Sequence, residues 1–150
     1  MQLAGKHVLH AAPSKVWATL MDKDTLARVV PGISRLEETG DHTFKSTLNI
    51  KLGPVNGSFT GDLQLDDLQE PNTFTLKAQQ NSKIGNANAA IKINLAPVGD
   101  GDTEIVFDGD VKLSGILASM GQRVMGGVSN TLTKQFFSNL EKELAKTPAS

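Results

Sequence analysis

GILASMGQRVMGGVSNTLTKQFFSNLEKELA, residues 115–145, is where the apolar residues of this 150-residue chain turn to helical spacing and keep it, and its reading decides the fold. As one helix it would be on the order of 45 Å long at 1.5 Å per residue, enough to cross an entire sheet. Setting successive residues 100° apart puts Ile116, Leu117, Met120, Val124, Gly127, Val128 and Thr131 on one arc. Leu132, Phe136, Leu140 and Leu144 form a second stripe, displaced by nearly half a turn. A straight helix cannot press both against one flat sheet. Either it breaks at Gly126-Gly127, where each interior glycine costs about 1 kcal/mol relative to alanine, or it follows a twisted sheet along a slanting row of residues four apart.

The sequence upstream supplies that sheet. Residues 3–9 alternate Leu3, Gly5, His7, Leu9 against Ala4, Lys6, Val8, the period of a strand. Pro13 fits the first turn of a helix carrying Val16, Trp17, Leu20 and Met21. Asp22 or Asp24 is placed to cap a second short helix that Pro31-Gly32 should stop. From residue 33 a period of two persists for about eighty residues, with turns at Gly40-Asp41, Gly53-Pro54, Glu70-Pro71-Asn72, Ser82 to Asn86 and Gly99 to Asp102. The expected order is strand, two short helices, six strands, long helix. That is one α+β domain spanning residues 1–150, its antiparallel sheet covered by helices on one side.

Composition narrows the function. Fifteen Lys and Arg against sixteen Asp and Glu give a net charge of −1 with no basic run, so a nucleic-acid partner is not expected. With no cysteine, disulfides, thiolate metal sites and a cysteine nucleophile are excluded. No stretch approaches the ~20 apolar residues of a membrane span, and a cytoplasmic protein with at most peripheral membrane contact is expected. The terminal KTPAS is expected to fray.

Catalytic patterns are sparse. His7, His10 and His42 lack metal-ligand spacing. Of Asp62, Asp66, Asp67, Asp108 and Asp110 the strand pattern points most outward, and Ser58, Ser114 and Ser129 have no nucleophile-elbow context. KIGNANAA, residues 83–90, has neither the lysine placement nor the strand-to-helix setting of a phosphate loop. His7 points inward by alternation, either as a satisfied core histidine or as a polar contact to a ligand. Arg123 is either a solvated flank or a cation at a cavity mouth. No catalytic residue, metal or intrinsic cofactor is expected.

Small residues recur on both inferred walls: Gly5, Gly57, Gly61, Ala78, Ala87, Ala89 and Gly109 on the sheet, Gly127 on the helix. Either the layers close up there or a ligand cavity remains. A cavity would be lined by His7, Phe59, Ala78, Ala89, Ile91, Phe107, Met120, Val124, Gly127, Val128 and Thr131. Its mouth would lie at Val30, Pro31, Pro54 and Arg123.

Pro13-x-x-Val16-Trp17-x-x-Leu20-x-Asp22, Pro31-Gly32, Gly53-Pro54-Val55-x-Gly57-x-Phe59-x-Gly61, Gly121-Gln122-Arg123 and Phe136-Phe137 together resemble the CoxG family of carbon monoxide dehydrogenase subunits, within the START-like, helix-grip (SRPBCC) superfamily. The resemblance implies a curved seven-stranded antiparallel sheet gripping the long helix around a hydrophobic cavity. It also implies an accessory role rather than catalysis: binding a quinone or lipid-like molecule, in association with a molybdenum-containing carbon monoxide dehydrogenase or related hydroxylase, and coupling it to the membrane or quinone pool. Members with an anchoring role tend to carry an extension after the helix, so a shuttle or binding module is the expectation here. Two other readings stay open. One is a cyclase- or hydrolase-type enzyme using His7 with Gln80 or Arg123; the other is a docking protein with a filled core.

Overall fold

A computed structural model describes residues 1–146; of the terminus expected to fray, Thr147 onward lies outside the described residues. The elements run β1 (Gln2–Leu9), α1 (Pro13–Met21), α2 (Lys23–Val29), β2 (Ile33–Gly40), β3 (Thr43–Leu52), β4 (Val55–Gln69), β5 (Thr73–Ser82), β6 (Gly85–Val98), β7 (Asp102–Leu113), α3 (Gly115–Ser119) and α4 (Gly121–Lys146). The seven strands form one antiparallel sheet in the order β1-β7-β6-β5-β4-β3-β2. Strands β2 to β7 are a meander, and β1 crosses back to pair with β7, Gln2 opposite Asp110 and Leu9 opposite Thr103. The α1–α2 pair therefore joins the two edge strands of the sheet.

Local chemistry sets these boundaries. Pro13 opens α1, which buries Val16, Trp17 and Leu20. Trp17 meets Phe74 of β5 edge to face, ring centroids 5.6 Å apart. Asp22 caps α2, accepting from the Thr25 amide at 3.0 Å and its hydroxyl at 2.6 Å. Those two bonds hold the Asp22 carboxyl below the usual aspartate range. Helix α2 ends at Val29, and Gly32 follows at φ +80°, a conformation that favours glycine.

The helix breaks elsewhere than at Gly126-Gly127. Gly121 adopts φ +83°, α3 ends at Ser119, and α4 runs unbroken through both central glycines. Because the break comes before them, the arc from Ile116 to Thr131 is not one face: Ile116 is 54% exposed, and Gly127 and Thr131 are exposed. On α4 the inward side is the slanting row Val128, Leu132, Phe136, Leu140, Leu144, each four residues on, the other arrangement its pattern allowed.

The interior holds two packed clusters. The larger includes Leu9, Val16, Trp17, Leu20, Val29, Phe74, Leu95, Ile105, Leu140 and Leu144, beneath α1, α2 and the C-terminal half of α4. The smaller contains Ile50, Val55, Phe59, Leu117, Met125 and Val128, beneath α3 and the start of α4. The space between them positions the site.

Candidate functional site

Between the clusters the sheet and α4 do not close up. Leu48, Leu76, Ile91 and Phe107 face inward yet are only partly buried, while their neighbours Ile50, Phe74, Ile93 and Ile105 are buried. The result is an apolar cavity of about 250 Å³. Its sheet wall comprises Leu3, Leu48, Ile50, Leu76, Ile91, Ile93, Ile105 and Phe107; its helix wall comprises Leu132, Thr133, Phe136 and Phe137; Val30 and Pro31 border it from the loop after α2. The one polar side chain in this lining is that of Thr133, whose hydroxyl donates to the Ser129 carbonyl at 2.8 Å. A space lined this way favours hydrocarbon and supplies no charge to a reacting group.

A second, larger space of about 700 Å³ lies between the first strand and α4. There His7 Nε2 is 2.7 Å from Glu141 Oε1, and the imidazole stacks on Phe137 with centroids 4.6 Å apart and planes 10° from parallel. Phe137 in turn contacts Phe107 and Phe136, at 5.7 and 5.4 Å between centroids. Leu3, Phe107, Thr133 and Phe137 border both spaces, so this aromatic group is the partition between them.

The C-terminal half of α4 is fixed by polar ties. Asn139 Nδ2 donates to the Val29 carbonyl at 3.1 Å, and Lys15 Nζ to the Leu144 carbonyl at 3.0 Å. Glu143, with its side chain 8% exposed, accepts from Arg28 Nε at 2.7 Å and from Lys146 Nζ at 2.9 Å. The bonds from Lys146 and Arg28 hold the Glu143 carboxyl below the usual glutamate range.

A sheet curled about a long helix with an apolar space between them is the arrangement expected from the sequence motifs, and the family profile of the carbon monoxide dehydrogenase subunit CoxG matches residues 5–145. The chain belongs to the CoxG family. The chain is similar in structure to a conserved protein from Geobacillus kaustophilus, with 29% identity, TM-score 0.94, and 97% of this chain and 96% of that one covered. The START superfamily protein from Mycobacterium smegmatis shares the fold at TM-score 0.73 and 11% identity, over 97% of each chain. The Zhui aromatase/cyclase from Streptomyces sp. R1128 does so at TM-score 0.71 and 13% identity, over 97% of this chain and 94% of that one. No curated protein matches the chain. The fold is therefore START-like.

The structure redistributes the residues expected at the cavity. Ile91, Phe107, Val30 and Pro31 line it. His7 lies beyond the partition, in the groove with Glu141. Phe59 and Val128 are buried in the smaller cluster, with Met120 packed against it. Val124 is partly buried outside the cavity, while Gly127, Thr131, Pro54 and Arg123 are exposed and border neither space. Ala78 and Ala89 are partly buried and border a depression on the outer face of the sheet, with Gln79, Asn88 and Asp110. Small residues did not create the apolar space: Gly57 and Gly127 have room for a Cβ but border neither space, and at Gly5, Gly61 and Gly109 a neighbour takes up the room. A Cβ on Gly5 would lie 2.7 Å from Phe107 Cζ, and one on Gly109 or Gly61 would strike the carbonyl oxygen of Ala90 or Gln79.

Leu48, Leu76, Ile93, Ile105, Leu132 and Phe136 carried an inward signal in their periodicity and Phe137 a weaker one in its spacing from Leu140 and Leu144, whereas Glu141 carried none. Gln80 is buried, but its amide is occupied by the Ser46 hydroxyl at 3.2 Å and the Asp62 carbonyl at 3.3 Å. Among the described residues no cluster of three His, Asp or Glu side chains is placed to hold a metal. No described helix is long and apolar enough to cross a membrane.

Proposed function

We propose that this CoxG-family chain binds a hydrophobic small molecule, a quinone or lipid-like compound, between its sheet and α4 without transforming it. We further propose that it does so as an accessory of a carbon monoxide dehydrogenase-type molybdenum oxidoreductase, coupling that enzyme to the membrane or quinone pool from the cytoplasm. The observation that carries the binding is the 250 Å³ space lined by aliphatic and aromatic side chains, with Thr133 its only polar side chain. Family membership supports the accessory role. The loop carrying Val30 and Pro31 borders the cavity and is the entry route in this reading. Protein purified gently and examined by native mass spectrometry should carry a releasable lipid-class adduct. Ile91→Phe, which puts a ring into the cavity, should lose it while retaining a cooperative unfolding transition. Wild-type protein that stays empty after exposure to lipid extract would defeat the reading.

One observation favours a second reading, a cyclase- or hydrolase-type enzyme. His7 and Glu141 form an imidazole–carboxylate pair of the kind that orients a general base, and one similar structure is an aromatase/cyclase. Turnover separates the two: an enzyme converts its bound ligand on incubation and His7→Ala stops the conversion, whereas a binding protein returns the ligand unchanged.

A further inference from the structure

The groove between β1 and α4 has no part in the binding proposed above, yet it is the larger space, about 700 Å³ against 250 Å³. One wall is the open edge of the sheet. Met1 and Val111 exchange both backbone bonds, Met1 N donating to Val111 O and Val111 N to Met1 O, each at 2.7 Å. Antiparallel alternation then commits Leu3, Gly5 and His7 to β7 and turns the N–H and C=O groups of Gln2, Ala4 and Lys6 outward along the edge. The facing wall is one side of α4, where Gln122, Ser129, Asn130, Lys134 and Ser138 recur at helical spacing beside the bare Gly126. The carboxylate of the groove, Glu141, is engaged by His7. Edge backbone, side-chain amides and hydroxyls offer donors and acceptors alike, and the ammonium groups of Lys6 and Lys134, which only donate, tip the lining toward oxygen acceptors. Phe107 and Phe137, with Leu3 and Thr133, stand between this polar surface and the apolar cavity.

We propose that the ligand is an amphiphile lying across both spaces, its apolar part in the inner cavity and an oxygen-acceptor head, a carbonyl or a carboxylate, in the β1–α4 groove. The proposal rests on the inner cavity being a ligand site. Phe137 is the ring past which the molecule runs, and the stacked His7, tied to Glu141, fixes that ring.

Three probes test it by calorimetry: 1-methylnaphthalene, wholly apolar; decylubiquinone, with a neutral carbonyl head; and dodecanoate, with a carboxylate head. Gly126→Trp places an indole in the groove, from a position where an added Cβ meets nothing within 4 Å. It should weaken the amphiphile at least tenfold and leave 1-methylnaphthalene within twofold of wild type. Independently of any variant, the backbone amide resonances of Asn130 and Ser138 should shift on adding the amphiphile and stay in place with 1-methylnaphthalene. Amphiphile affinity untouched by the tryptophan, with both amides unmoved, overturns the head-group site while the inner-cavity reading stands. Failure of all three probes to bind wild-type protein overturns the inner-cavity reading itself. Which amphiphile binds identifies the head as carbonyl or carboxylate.

Discussion

Gly126 and Gly127 lie within an unbroken helix at exposed positions where an added Cβ meets nothing within 4 Å. Nothing in the fold requires either to be glycine, so Gly126→Ala and Gly127→Ala should each stabilise the protein by about 0.5–1 kcal/mol, read from denaturant unfolding. Gly121→Ala should act with the opposite sign. Its site is also open but its φ is +83°, and alanine there should cost about 1 kcal/mol or more. These glycines are indistinguishable by composition; only the backbone angle separates them. The same limit applies to Gly5, Gly61 and Gly109. An absent side chain reads as free volume until the neighbour that fills it, Phe107 in the first case, is placed.

At the scale of elements, strand alternation and turn chemistry made the meander legible, and Pro13 and Asp22 marked the short helices. What stayed hidden was the rotation of α4 relative to α3, because a single positive φ at Gly121 resets the phase of everything after it. The helix ties are also absent from the pattern: Arg28 on α2 and Glu143 on α4 are far apart in sequence but 2.7 Å apart in space. Glu143 and Asp22 both have carboxyls held below their usual range. Their contribution is therefore complete above the unfolded carboxylate range and is lost as pH falls through the folded values. Stability measured against pH should fall on the acid side, and Glu143→Gln should flatten that fall while lowering stability at neutral pH. Asp22→Ala should cost α2 its cap, about 1 kcal/mol by denaturant unfolding.

Across the whole molecule, interior residues divide into those that hold the two clusters and those that border the gap. Leu140 is fully buried, and Leu140→Ala should cost roughly 2–5 kcal/mol, a large share of the ~5–15 kcal/mol typical of a folded domain. Ile91→Phe, at a partly buried wall, should instead leave the unfolding midpoint nearly unchanged and remove the stabilisation that a ligand gives wild type. The order of synthesis adds a further consequence of the β1–β7 pairing. Strands β3 to β7 each find a partner in the strand made just before, but β1, made first, waits for β7, since Gln2 pairs with Asp110. Contacts of such long sequence separation carry the greatest loop-closure cost and form late. In a nascent chain stopped before Asp102, strands β2 to β6 already have one another as neighbours, while β1 has no partner. The edge that walls the groove is thus laid down only when the rest of the sheet exists to receive it.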